Sequence, residues 1–234
     1  MEFAATLLLL ISYGLACYLG WTQRTPIYLF AIVGGHLSAL ASPLWRGLYG
    51  VRYSLDLATV QTLPGQPVPL PVLIGAGWYY PLPALVVLYL YTTRWWFPGG
   101  LTGVLTYLVF LLYHLLLEAL GLRTQTWAYS GVTLPFGFSA PLLSAMMSGL
   151  ISYGLLYMLL ATQRSTWPSM LLAVVPAPLV LSLLVHGLLG APLWIARLLQ
   201  GEPWAVAAGL ISCLVLLGWA AQIITGGIRR LHAR

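Results

Sequence analysis

Residues 101–123, LTGVLTYLVFLLYHLLLEALGLR, decide the fold. The stretch is apolar over more than four turns, and a helix of about 20 such residues at about 1.5 Å each crosses a hydrocarbon core about 30 Å thick. Stretches of the same kind recur on both sides. Spans are predicted at about 3 to 21, 27 to 44, 70 to 91, 101 to 120, 138 to 161, 170 to 190 and 204 to 226. Apolar types fill 60% of the 234 positions and charged types only 6%, against roughly 25% charged in a soluble domain. The expected fold is therefore all-α: a polytopic membrane protein of about seven transmembrane helices, one transmembrane domain over residues 1–234, with the lipid bilayer as its solvent and no room for a separate soluble domain.

The net charge of +6 comes from arginines without a single lysine, spread singly but for the Arg229-Arg230 pair. This pattern reads as topology control at a membrane surface and not as a nucleic-acid patch. Seven spans put the two termini on opposite sides. Arg24, Arg94, Arg164, Arg229, Arg230 and Arg234 fall on the side of the C-terminus, and Arg46, Arg52, Arg123 and Arg197 on the other. The bias of six to four predicts a cytoplasmic C-terminus and an outside N-terminus. The first span follows Met1 and Glu2 without a basic segment and reads as a retained helix instead of a cleaved signal peptide. Cys17 and Cys213 lie inside apolar helices and suggest neither a disulfide framework nor a zinc site.

The chain also repeats itself. Arg24, Arg94 and Arg164 stand 70 residues apart, in Thr22-Gln23-Arg24, Thr92-Thr93-Arg94 and Thr162-Gln163-Arg164, and the pentapeptide ISYGL at 11–15 returns at 151–155. In the second helix of the first and third pairs, His36 precedes Ser42-Pro43-Leu44-Trp45 and His186 precedes Ala191-Pro192-Leu193-Trp194. His114 holds the middle place. Three repeated helix hairpins plus a closing helix make seven, the kind of internal symmetry that membrane transporters use.

Glu2, Asp56, Glu118 and Glu202 are all the carboxylates, and this topology puts them on the side of the N-terminus. Glu118 differs from the others because it lies within an apolar span, where an ionised carboxylate costs about 2.5 to 3.5 kcal/mol and is commonly retained for function. His114 stands four residues earlier, on the same helix face. Such a pair could serve as proton donor near neutral pH, a contribution of about 10² to 10⁴ in rate. Trp127, Tyr129 and Trp78 near the same boundary could supply π-faces for a cationic carbon intermediate, or form only an interfacial belt. The Pro135-Phe136-Gly137 turn and the proline run from Pro64 to Pro71 are candidate covers for such a pocket. The candidate catalytic set is thus Glu118, His114 and Asp56, with Trp127, Tyr129, Trp78, His36 and His186 as substrate-binding candidates and no metal or cofactor expected.

Other chemistries are excluded by what is missing. Without lysine there is no retinal Schiff base, and there is no Walker A loop, dinucleotide fingerprint, HExxH, CxxC or GxSxG to support nucleotide-driven transport, zinc proteolysis or serine hydrolysis.

Three resemblances attach to the same region. His114-Leu115-x-x-Glu118 looks like the motif of the emopamil-binding family of sterol isomerases, which implies proton donation to a double bond. Glu118-x-x-Gly121-x-Arg123-Thr124, with Pro135-Phe136-Gly137, resembles bacterial carotenoid-biosynthesis membrane proteins, including carotenoid hydratases. The length and seven-helix layout are similar to the membrane terpene cyclases, in which paired acids protonate an epoxide or alkene. The shared implication is a membrane-embedded isoprenoid enzyme acting on a hydrophobic isoprenoid-like substrate by carboxylic-acid protonation. The alternative is a non-catalytic pigment- or haem-binding subunit of a respiratory or photosynthetic complex, with His36, His114 or His186 as axial ligand. A small transporter of repeated hairpins is a third reading.

Overall fold

A computed structural model describes residues 2–54, 56–63, 66–130, 133–199 and 202–232. Pro64 and Arg234 lie outside them. Among the described residues seven helices are long and apolar enough to cross a membrane, so the chain is an all-α, multi-pass membrane protein. The helices are α1 (Glu2–Gln23), α2 (Ile27–Tyr49), α3 (Leu70–Thr92), α4 (Gly100–Arg123), α5 (Ala140–Thr162), α6 (Trp167–Leu189), a short α7 (Ala191–Leu198) and α8 (Pro203–His232). Only α7 does not span.

The centre of the bundle is α5. Within its apolar window 78% of residues are buried, against 11% for α1, because α3, α4, α6 and α8 all pack on it. The stripe Gly103, Thr106, Phe110, His114, Glu118 and Gly121 of α4 is buried, while Leu101, Leu105, Leu108, Leu112 and Leu116 are exposed. That division is what a helix needs when protein lies on one side and lipid on the other. Lipid supplies no hydrophobic force between helices, so close approach through small residues matters more. At Gly34 a Cβ would meet the backbone of Val174 and Val175, and at Gly35 that of Ala76 and Gly77, which wedges α2 between α6 and α3.

Prolines break three spans at useful places. α3 is interrupted at Tyr80, between Leu70–Tyr79 and Pro81–Thr92, as expected where proline withholds its N–H. Ser152 of α5 donates to the carbonyl of Tyr80 at 3.0 Å, the kind of neighbouring hydroxyl that satisfies backbone freed at a break within the membrane. Tyr80, at the break, is fully buried. In α2 a 3₁₀ turn at Ser38–Ala41 leads into the helical segment Ser42–Tyr49, and in α6 a wide π-helical stretch Leu183–Leu189 leads into Ala191–Leu198. Both Pro-Leu-Trp sequences thus open an eight-residue helical segment, so the sequence repeat is also a structural one. Arg24 and Arg94, at equivalent helix ends, both take left-handed backbone with φ of 54° and 63°, and Gln23 donates to Thr92 at 3.1 Å across the two repeats.

Two small antiparallel sheets lie outside the bundle. β1 (Val51–Tyr53), which follows α2, pairs with β4 (Trp127–Tyr129), which follows α4, and β2 (Thr59–Leu63) pairs with β3 (Gln66–Pro69). The first pairing joins loops far apart in sequence, with Val51 opposite Tyr129 and Tyr53 opposite Trp127.

Candidate functional site

Glu118 is 4% exposed, near the end of α4. Its Oε2 accepts hydrogen bonds from Tyr129 Oη at 2.7 Å and Trp127 Nε1 at 3.0 Å, and its Oε1 accepts one from Ser144 Oγ at 3.0 Å. The phenol of Tyr79 is the fourth polar group beside it. A carboxyl oxygen has two lone pairs; Oε2 accepts two of these hydrogen bonds and Oε1 one. Oε1, with Ser144 as its donor, is the less encumbered of the two oxygens.

Local chain geometry explains why these groups converge. Beyond Arg123 the chain reverses through Gln125, in left-handed backbone with φ of 55°, and Thr126 N donates to Gly121 O at 3.0 Å, closing the helix end. The reversal sends β4 back over the last turn of α4. Trp127 and Tyr129 are two apart on a strand and so share one face, directed at Glu118, while Ala128 between them is exposed. At Gly121 a Cβ would overlap the indole ring of Trp127, so only glycine lets the ring lie on the helix. Both phenols of this sheet stay protonated to high pH: burial pushes Tyr53 up to about 12, and burial, with the Glu118 carboxyl next, raises Tyr129 further. Tyr129 is thus a constant donor to the acid.

Beside Glu118 lies a cavity of about 140 Å³, close to the roughly 150 Å³ apolar cavity that stays dry and takes a benzene-sized guest. Trp45, Tyr53, Trp78, Tyr79, Trp127 and Tyr129 form much of its wall. Its lining extends from Ala5 on α1 to the half-exposed Leu120 on α4. Because α1 packs chiefly on α2 and α3, and α3 meets α4 through long aromatic side chains such as Tyr113, whose hydroxyl donates to Trp78 O at 3.4 Å, the cavity reaches sideways towards lipid.

Of the residues singled out from sequence, the fold brings Glu118, Trp127, Tyr129 and Trp78 together at this cavity. His114 is fully buried, 4.7 Å from the ring of Tyr79, but shares no hydrogen bond with Glu118. Its Nε2 lies 2.9 Å from Ser152 Oγ. That hydroxyl already donates to Tyr80, so His114 donates through Nε2 and leaves Nδ1 without a partner. His186 sits in the π-helical stretch, with Nδ1 2.7 Å from Tyr49 Oη and its ring against Trp45. His36 Nδ1 lies 3.0 Å from Leu73 O, with its ring stacked on Tyr13. None of the three histidines lines the cavity. Asp56 and Glu202 are exposed, and the cavity wall includes neither. Of the suggested covers, Pro71 lines the cavity, whereas Phe136 of the Pro135–Gly137 turn is 75% exposed.

Ser144 was missed by the sequence reading. Its signal was the spacing of Ser144, Ser148 and Ser152, four residues apart on one face of an otherwise apolar helix. Ser144 bonds Glu118 and Ser152 bonds His114, so that stripe faces Glu118 and His114 of α4. Among the described residues no three His, Cys, Asp or Glu side chains gather where they could hold a metal ion. Comparison of the chain with known protein families, with curated proteins and with solved structures finds no match.

Proposed function

We propose that the protein is a membrane-embedded isoprenoid enzyme, a terpene or carotenoid cyclase, hydratase or isomerase, in which Glu118 protonates an alkene or epoxide. The observation that carries this reading is a carboxyl at membrane depth that has three hydrogen-bond donors, two on one oxygen and one on the other, and an aromatic cavity beside it.

In the alkene case the proton on Oε1 moves to one carbon, the π electrons form the new C–H bond, and the adjacent carbon becomes cationic. Glu118 is then a carboxylate. Tyr129, Trp127 and Ser144 are already oriented towards it, and donors fixed before the reaction cost no reorganisation when the charge develops. The aromatic wall presents π-faces to the cation. Transfer of a neighbouring proton back to the Glu118 carboxylate gives an isomer or cyclic alkene, and addition of water, whose surplus proton goes to the same carboxylate, gives an alcohol, so either route restores the acid. The cavity accommodates one end of an isoprenoid, and the sideways opening lets the rest of the chain stay in lipid. The pigment- or haem-subunit reading gains less support, because His114 and His186 are fully buried among packed side chains.

The test is solvent isotope incorporation. Membranes holding the wild type or Glu118→Gln are supplied with linear polyprenyl alkenes and their terminal epoxides in deuterated water. Wild type is expected to form product, with one carbon-bound deuterium where an alkene is protonated, and Glu118→Gln to lose about 10² to 10⁴ in rate. Wild-type product formation by Glu118→Gln would overturn the assignment.

A further inference from the structure

The membrane face opposite Glu118 carries a second cavity, of about 440 Å³, between the ends of α5 and α8 and the turn after α3. Gln163, Arg164, His232 and Tyr91 are its polar walls, and Leu160 and Ile228 lie deeper along the helices. The His232 ring stands edge-on to Tyr91 at 6.0 Å, which ties the end of α8 to α3. Around this cavity the charged side chains of the described residues have one sign. Arg24, Arg94, Arg229 and Arg230 belong to the same face and are exposed, whereas Asp56, Glu118 and Glu202 belong to the other. Among the described residues no Asp or Glu side chain shares this face, so the Arg164 guanidinium is open to an anion from outside the chain, and its planar fork matches phosphate.

We propose that this cavity binds the phosphate group of an anionic phospholipid, with Arg164 as the principal contact, Gln163, His232 and Tyr91 as further hydrogen-bonding groups, and an acyl chain along Leu160 and Ile228. The apolar depth beneath a basic rim is what selects a lipid over a free anion. Basic pockets between transmembrane helices hold lipid headgroups on this principle, and one arginine near the surface contributes about a fivefold gain in affinity. The site is independent of the chemistry at Glu118 and stands whether or not that reading holds.

The test uses the purified full chain in detergent, with retained lipid counted by native mass spectrometry. Dioleoyl phosphatidylglycerol is compared with dioleoyl phosphatidylcholine for the wild type, Arg164→Gln, His232→Gln and Arg24→Gln. Arg24 is the control, since it carries the same charge on the same face outside the cavity. The expected result is a preference of the wild type for phosphatidylglycerol, a fall of about fivefold in Arg164→Gln, a smaller fall in His232→Gln, and no change in Arg24→Gln. Sodium phosphate is added in a parallel arm. Displacement of the lipid by it identifies free phosphate as a competing source of the same group, and persistence of the lipid identifies the phospholipid. Equal losses in Arg164→Gln and Arg24→Gln, or none in Arg164→Gln, would overturn the proposal, because the attraction would then be diffuse surface charge.

Discussion

Tyr129 and Glu118 are joined by a 2.7 Å hydrogen bond between a three-residue strand and a membrane helix. The strand is held in place by β1, which opens the α2–α3 connection. A loop that would otherwise be free is thus made part of the wall around a buried acid. Burial keeps the Tyr129 phenol protonated, so its role towards Glu118 is fixed as donor.

Removing that donor tests the arrangement directly. Tyr129→Phe keeps the ring and deletes the hydroxyl. A hydrogen bond to a charged group contributes about 1.5 to 3 kcal/mol, so the expected result is a rate loss of about 10-fold to 100-fold in the isotope assay. Trp127→Phe is expected to lose a similar amount, and the double variant less than the product of the two, because both act on Oε2. Additive losses would mean that the two residues serve different groups.

Gly121 provides a structural test of the same site. Gly121→Ala forces the Trp127 indole off α4, and such overpacking costs about 1 to 3 kcal/mol. The expected outcome is a lower thermal midpoint together with altered Trp127 fluorescence, measured against a Trp127→Phe background. In that background the smaller ring should restore part of the stability.

Ser152 links two otherwise separate polar groups, receiving from His114 and donating to Tyr80 O. Ser152→Ala strands both, and leaving a buried polar group unpaired costs about 1 to 3 kcal/mol. The thermal midpoint is expected to fall by more in Ser152→Ala than in Ser12→Ala, the equivalent serine of the repeat, whose hydroxyl bonds only its own helix at Leu8 O.

Much of this architecture was legible before folding. Length and hydropathy placed all seven spans, and the single acid in residues 101–123 marked Glu118, because composition within a bilayer leaves few alternatives. The convergence of Trp127, Tyr129 and Trp78 on it was readable only as proximity to one boundary. Strand pairing between β1 and β4 was not readable, since three-residue strands have too little periodicity and their partner lies more than 70 residues away. The spacing rule that put His114 on the face of Glu118 was sound, yet Ser152 draws its ring elsewhere. Asp56 failed to reach the cavity for the same kind of reason: a loop length sets what is within reach, and only the sheet register decides what arrives.

Orientation rests on the arginine bias, which predicts the face of Arg24, Arg94 and Arg164 to be cytoplasmic. Asp56→Cys and Arg94→Cys are both exposed positions on opposite faces, built on a background in which Cys17 and Cys213 are replaced by alanine. A membrane-impermeant maleimide added to intact cells is expected to label the first and spare the second. The reverse pattern would invert the topology and put the Glu118 cavity on the cytoplasmic side.

The pair of phenols around β1 and β4 makes the fold sensitive to alkali. Tyr53 titrates at about 12 in the folded chain and Tyr129 is raised as well, against about 10 for an exposed tyrosine. Each folded value lies above the unfolded one, so the stability linked to these protons is fully present below about pH 10 and is lost as pH rises through the folded values. Thermal midpoints are therefore expected to be flat with respect to this pair up to about pH 10 and to fall beyond it. The Tyr53→Phe variant should show a shallower fall, because it removes one of the protons at stake. An equally steep fall in Tyr53→Phe would assign the alkaline loss to other phenols of the bundle.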